Sequence, residues 1–192
     1  VTIISDGIHA DLAMPGYRYT PLPSLSQELA EHSVLLTSTN KTFNLGGLQL
    51  ATLVIYDEEL RKRFNQVMAR YQTRLDNLFG AIALETAYTS CGYWLDEVID
   101  YIDGNRKALE AFIRENLPQL TVHPMESTYF SWIDFSGLGK GEELEEFLLD
   151  TCGVAFTPGR EFSKGYSQFM RVNLACRREL LITAFQQICQ NI

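Results

Sequence analysis

Cysteine is scarce in this sequence. The four present, Cys91, Cys152, Cys176 and Cys189, form no CxxC and no close Cys/His spacing, and the chain has only three histidines. Neither a zinc site nor a disulfide framework is therefore indicated, and reduced thiols in the cytosol are the simplest account. Positive charge is also short: 16 Lys and Arg stand against 24 Asp and Glu, a formal charge of −8. A nucleic-acid surface wants a concentration of cations that is missing here, so the expected partners are small molecules or protein. No apolar run approaches the ~18 residues of a membrane span, and no charged leader with an apolar segment opens the chain. A soluble protein with no membrane partner is the expectation. What is there in quantity is core material: 46% of the 192 residues are hydrophobic and 11% aromatic, enough for one large domain or parts of two.

The opening "VTIISDGIHADL" is an apolar run that meets Asp and Gly, which reads as a buried strand of the parallel kind. It begins in mid-strand, so the chain is expected to be the C-terminal part of something longer. Strands are expected near 2–5, 34–37 and 47–56. An amphipathic helix is expected over 57–77, where Leu60, Phe64, Val67, Met68, Tyr71 and Leu75 keep helical spacing. Further helices are expected over 81–90 and 93–116, the latter despite Gly104, with Pro118 beyond its end. Then come short strands at 120–124 and 128–135, a helix over 142–150, strands within 154–159 and 169–174, and a closing helix over 177–190. The first third looks α/β, and the last part looks like a smaller sheet covered by helices. The division is placed at 1–92 and 93–192.

Four polar residues interrupt this scaffold. Lys41 sits in "LLTSTNKTFNLGG", at an expected strand-loop junction; Asp6 closes the first strand; His9 follows it by three residues; Arg171 interrupts the strand "FMRVNL". Each has an ordinary explanation: a solvated loop cation, a turn former, a hydrogen-bonded structural histidine and a decorated edge strand. Singly, none supports a mechanism.

In order, however, "SDGIHADL", "TSTNKTFNLGGLQ", "STYFSWIDF", "TPGREF" and "RVNLAC" resemble the C-terminal half of the fold-type I pyridoxal-phosphate enzymes. More narrowly the chain is similar to the aminotransferase-like cystathionine β-lyases, the C-S lyases of the MalY/PatB group. The resemblance implies an α/β fold made of part of the large parallel-sheet domain plus a small α+β C-terminal domain, with pyridoxal 5'-phosphate as cofactor. It implies that Lys41 is the Schiff-base lysine and the base at the substrate Cα, and that Asp6 pairs with the pyridine nitrogen. Ser38 then matches a phosphate-binding serine, and Asn40 stands where many relatives carry a second one. His9 stands where many relatives have a tyrosine near the ring hydroxyl. Arg171 matches the clamp for the substrate α-carboxylate, a task for which a planar guanidinium fork is suited. Gln49 lies where aspartate aminotransferases carry a phosphate-binding arginine, a departure shared with the lyases.

The reaction so implied is α,β-elimination on cystathionine or cysteine-type amino acids, in a cytoplasmic enzyme that is a homodimer at full length. Transamination shares its early steps, and an aminotransferase, or a non-catalytic domain that senses the cofactor or an amino acid, is the alternative. The chain alone is expected to be at best feebly active. Its last part is expected to fold, while the exposed sheet edge of its first part invites association.

Overall fold

The computed structural model describes residues 1–72 and 77–192, in two compact units, Val1–Val98 and Ile99–Ile192. The first unit is built on a three-stranded sheet in the order β1-β2-β3. Strand β1 (Ile3–Asp6) runs parallel to β2 (Ser33–Thr37), with Asp6 opposite Leu36. Parallel neighbours need a crossover. Here it includes a short helix, α1 (Gln27–Glu31), whose first turn is capped by Ser26 Oγ accepting the Leu29 N–H at 3.1 Å. Strand β3 (Thr52–Ile55) returns antiparallel on the other side of β2. The parallel pairing of the opening strand is as the sequence predicts, but its burial is not. Ile3 and Ile4 are exposed, because β1 is an edge strand and no described residue covers its apolar side chains.

Three helices follow in this unit. Helix α2 (Thr39–Thr42) is a single turn immediately after β2, so Lys41 lies in a helical turn and not in a loop. The reason is the side chain of Ser38, which caps the turn by accepting the Asn40 N–H at 3.0 Å. Helix α3 (Glu58–Arg70) is shorter than the expected 57–77; Asp57 caps its start, and Leu75 lies outside the described residues. Helix α4 (Leu78–Ser90) begins earlier than expected because Asn77 Oδ1 caps it at the Gly80 N–H. The strand expected from 47 is confined to β3, since residues 46–48 form a 3₁₀ turn that ends with Gln49 at φ 51°. Helix α5 (Gly92–Asn116) then runs through the division between the units.

The second unit holds an antiparallel sheet in the order β4-β5-β7-β6, with β4 Thr121–Val122, β5 Phe130–Asp134, β6 Thr157–Pro158 and β7 Phe169–Asn173. Period-two alternation is plain: Ser131, Ile133, Met170 and Val172 are buried, while Phe130, Trp132, Phe169 and Arg171 take the other face and are half-buried. The expected helix at 142–150 is a 3₁₀ turn, then α6 (Leu144–Glu146), then a π turn over Phe147–Thr151. It still presents Leu144 and Leu148 inward. Helix α7 (Arg178–Gln190) buries Leu181, Phe185 and Ile188, and the Phe185 ring packs 5.5 Å from Phe156.

Gly104 in α5 has a specific reason. A Cβ there would come within 2.6 Å of the Arg178 guanidinium, whose Nε donates to Asn105 Oδ1 at 3.0 Å. The fully buried Asn105 in turn donates from Nδ2 to the carbonyls of Leu174 and Cys176, both at 2.9 Å. One amide thus fixes the chain where it leaves β7.

Candidate functional site

The parallel pair β1 and β2 sets the geometry of the first unit. Both strands end at the same edge of the sheet, and the carboxyl ends of parallel strands are where open α/β sheets bind ligands. Asp6 is the last residue of β1, and Lys41 follows four residues after the end of β2. Gly7 permits the close approach that sets Asp6 there: its N–H continues the ladder to the Leu36 carbonyl at 2.8 Å, and a Cβ would lie 3.1 Å from that same oxygen. Asp6 is exposed. Its Oδ1 accepts the Ile8 N–H at 3.0 Å in a local turn, and its second oxygen has no hydrogen-bond partner among the described residues.

Lys41 is exposed, and no carboxylate pairs with it among the described residues. Its neighbours are held firmly. Thr42 Oγ1 donates to Asp11 Oδ2 at 2.9 Å, and Tyr88 Oη donates to that same oxygen at 2.8 Å. Asp11 therefore ties the turn after β1 to the turn that carries Lys41 and to α4. Burial pushes the Tyr88 phenol up to about 12, helped by its hydrogen bond to Asp11 and by that carboxylate's charge. Phe43 closes the inner side, edge-on to Tyr88 at 5.7 Å and stacked on Trp94 at 5.8 Å. The sequence carried little signal for this network, because Asp11 meets partners 31 and 77 residues away.

The remaining predicted residues divide. Ser38 is buried, and its hydroxyl is committed to backbone: Oγ donates to the Leu50 carbonyl at 2.6 Å while it accepts from Asn40. Asn40 is half-buried, with its side-chain oxygen buried and without a partner among the described residues. His9 is half-buried in the turn after β1, where its carbonyl accepts the Leu12 N–H at 3.0 Å. Arg171 belongs to the second unit, on the outer face of β7. Its guanidinium carbon lies 4.2 Å from the Phe130 ring centre and 4.9 Å from that of Phe162. Nη2 reaches Thr157 Oγ1 at 3.5 Å, the limit of a hydrogen bond, and Nε is buried with no acceptor among the described residues.

No family model matches the chain. Among characterised proteins it is 36% identical over 189 residues to the cystathionine β-lyase PatB of Bacillus subtilis, covering 98% of this chain and 49% of that protein. It is 30% identical over 188 residues to the cystathionine β-lyase of Corynebacterium glutamicum, covering 97% and 49%. The crystal structure of cystalysin from Treponema denticola, which contains pyridoxal 5'-phosphate, superposes with a TM-score of 0.95 at 31% identity, over 100% of this chain and 49% of that one. The chain spans about half the length of the curated relatives it matches. In sequence and fold the chain thus matches the C-terminal half of the PatB- and MalY-like cystathionine β-lyases, of the pyridoxal-phosphate-dependent aminotransferase superfamily.

Proposed function

We propose that the chain contributes the lysine-bearing half of a pyridoxal-phosphate-dependent C-S β-lyase, acting on cystathionine or cysteine-type amino acids in the cytoplasm as a homodimer of the full-length protein. The observation that carries this reading is the common end of β1 and β2, where a carboxylate with one spare oxygen and a lysine amine, both without a further partner among the described residues, follow neighbouring parallel strands. An exposed primary amine can form an imine with an aldehyde. The second oxygen of Asp6 can accept the N–H of a protonated ring nitrogen, and the side-chain NH2 of Asn40 can donate to a phosphate oxygen. His9 is the candidate for the ring hydroxyl. Ser38 fits less directly, since its proton is already given to Leu50; a phosphate oxygen would need that hydroxyl to rotate.

When bound, pyridoxal phosphate supplies an electron sink for the bond breaking at the substrate Cα. With the cofactor in place Lys41 Nζ would be the group that takes the Cα proton, and the Cβ–S bond would break with its electron pair leaving on sulfur. Water completes the balance, giving a thiol, pyruvate and ammonia. Asp6 would hold the ring nitrogen protonated, and Arg171 would receive the α-carboxylate along the edge of its guanidinium. Gln49, exposed in place of an arginine, favours the lyase over the aminotransferase alternative.

Trapping tests the reading. The chain is mixed with pyridoxal phosphate and reduced with borohydride, and its intact mass is compared with that of Lys41→Ala. One adduct, lost in the variant, is expected; adducts scattered over several lysines, or unchanged in the variant, would overturn the assignment. The same chain should release no measurable pyruvate from cystathionine, half of the relatives' length having no counterpart in it.

A further inference from the structure

We infer that Phe130 and Phe162 are positioning residues for Arg171, a pair of ring faces that fixes the guanidinium plane and leaves its hydrogen-bonding edge for a carboxylate. The inference rests on the reading of Arg171 as the carboxylate receptor and goes beyond it by naming what holds that receptor in place.

Four observations point this way. Arg171 contacts two rings, with its guanidinium carbon 4.2 Å from the Phe130 centre and 4.9 Å from the Phe162 centre. A ring face attracts a cation but offers no acceptor in the guanidinium plane, so these contacts restrain orientation without consuming the N–H groups. Next, the N–H groups are in fact left over: no carboxylate pairs with Arg171 among the described residues, its Nε is buried without an acceptor, and its polar contact to Thr157 is at the distance limit. A purely structural arginine would be served by a nearby carboxylate, because a buried donor without a partner is costly.

The rings are themselves held. Phe162 meets the edge of Trp132 at 5.6 Å and 78°, and Trp132 is stacked on Phe169 at 5.6 Å and 16°. Trp132 sits directly opposite Arg171 in the β5 to β7 register. Finally, Phe130 enters the sheet from an unusual turn: Thr128 adopts φ 68°, rare for a β-branched residue, and its Oγ1 accepts the Phe130 N–H at 3.0 Å. The backbone is bent where Phe130 must be aimed.

The test uses the whole chain and the Arg171 Nε–H resonance, assigned by its loss in Arg171→Lys. Phe162 is 52% exposed, so Phe162→Leu should fold, and the rest of the amide spectrum reports whether it does. In the wild-type chain Nε–H exchange with solvent should be slow; in Phe162→Leu it should be roughly tenfold faster, and in Phe162→Tyr, which keeps the ring face, unchanged. Acetate, at constant ionic strength, should shift the resonance saturably in the wild type and bind about tenfold more weakly in Phe162→Leu. Equal exchange and equal acetate affinity in wild type and Phe162→Leu would overturn the clamp while leaving Arg171 a carboxylate receptor. Faster exchange in Phe162→Leu with no response to acetate in any variant would leave the clamp standing and overturn the receptor reading instead.

Discussion

Asp11 shows how much a single side chain can settle. One of its carboxylate oxygens receives two hydroxyl protons, from Thr42 and Tyr88, and so joins the turn that follows Asp6 to the turn that carries Lys41. The electrostatic consequence is measurable at Tyr88, whose phenol is raised from 10.0 to about 12 by burial first and by Asp11 second. A folded-state value above the unfolded one means that the contribution to stability is whole below the ordinary tyrosine range and is lost as pH rises through about 12. Asp11→Asn removes the charge and keeps the size. Absorbance titration of tyrosinate, with Tyr88 identified by its loss in Tyr88→Phe, should show that phenol titrating late in the wild type and returning toward the ordinary range in Asp11→Asn, while Tyr129, also raised by burial, stays where it is. An unchanged titration would mean that burial alone sets Tyr88. Neither partner was legible in sequence, since Asp11 reads as one more polar residue of a turn and Tyr88 as one more aromatic of a helix. Asp6, Lys41 and Arg171 were legible only as members of an ordered pattern, for each alone has an ordinary use.

Elements with a sustained period were legible, and those made by one capping side chain were not. Helices α5 and α7 and strands β5 and β7 follow from apolar spacing, because each buries one face against a continuous core. Helices α1 and α2 are too short to have a period; they exist because Ser26 and Ser38 satisfy free N–H groups. Strand β3 was expected to be longer because an apolar run cannot report that its start, around Gly46 and Gly47, is a 3₁₀ turn. Between elements, the decisive contact is Asn105, whose amide satisfies the carbonyls of Leu174 and Cys176 and whose oxygen receives Arg178. Asn105→Ala would leave buried backbone acceptors without a donor, at about 1–3 kcal/mol for each such group. Denaturant unfolding should show a lower midpoint with little change in slope. A loss below about 0.5 kcal/mol, the size of an ordinary surface substitution, would mean that the exit from β7 is held by something else.

At the scale of the molecule, the two units differ in how much apolar surface they bury. The second places Ile133, Phe135, Met170, Val172, Leu174, Leu181, Phe185 and Ile188 in a shared core, all essentially inaccessible. The first buries Leu12, Met14, Ala30, Phe43, Ile55 and Ala87, yet leaves Ile4 70%, Phe79 75% and Tyr56 60% exposed. Among the described residues no helix is long and apolar enough to cross a membrane. Since burial of apolar area is the main favourable term in folding, local opening should cost less in the first unit than in the second. Hydrogen exchange followed residue by residue should find the amides of β5 and β7 protected longest and those of β1 and β3 exchanging early. Edge position contributes to the contrast, as β1 pairs only with β2 and β3 only with β2, but β2 itself is central and isolates the effect of the core. If β2 amides were as slow as those of β7, the sheet of the first unit would be stable without further cover and the exposed apolar side chains would carry no thermodynamic penalty. If they exchange early, the chain's lysine-bearing turn rests on the less stable of its two units, and any added surface that covers Ile4 and Tyr56 should slow β2 exchange and sharpen the trapping of pyridoxal phosphate at Lys41 together.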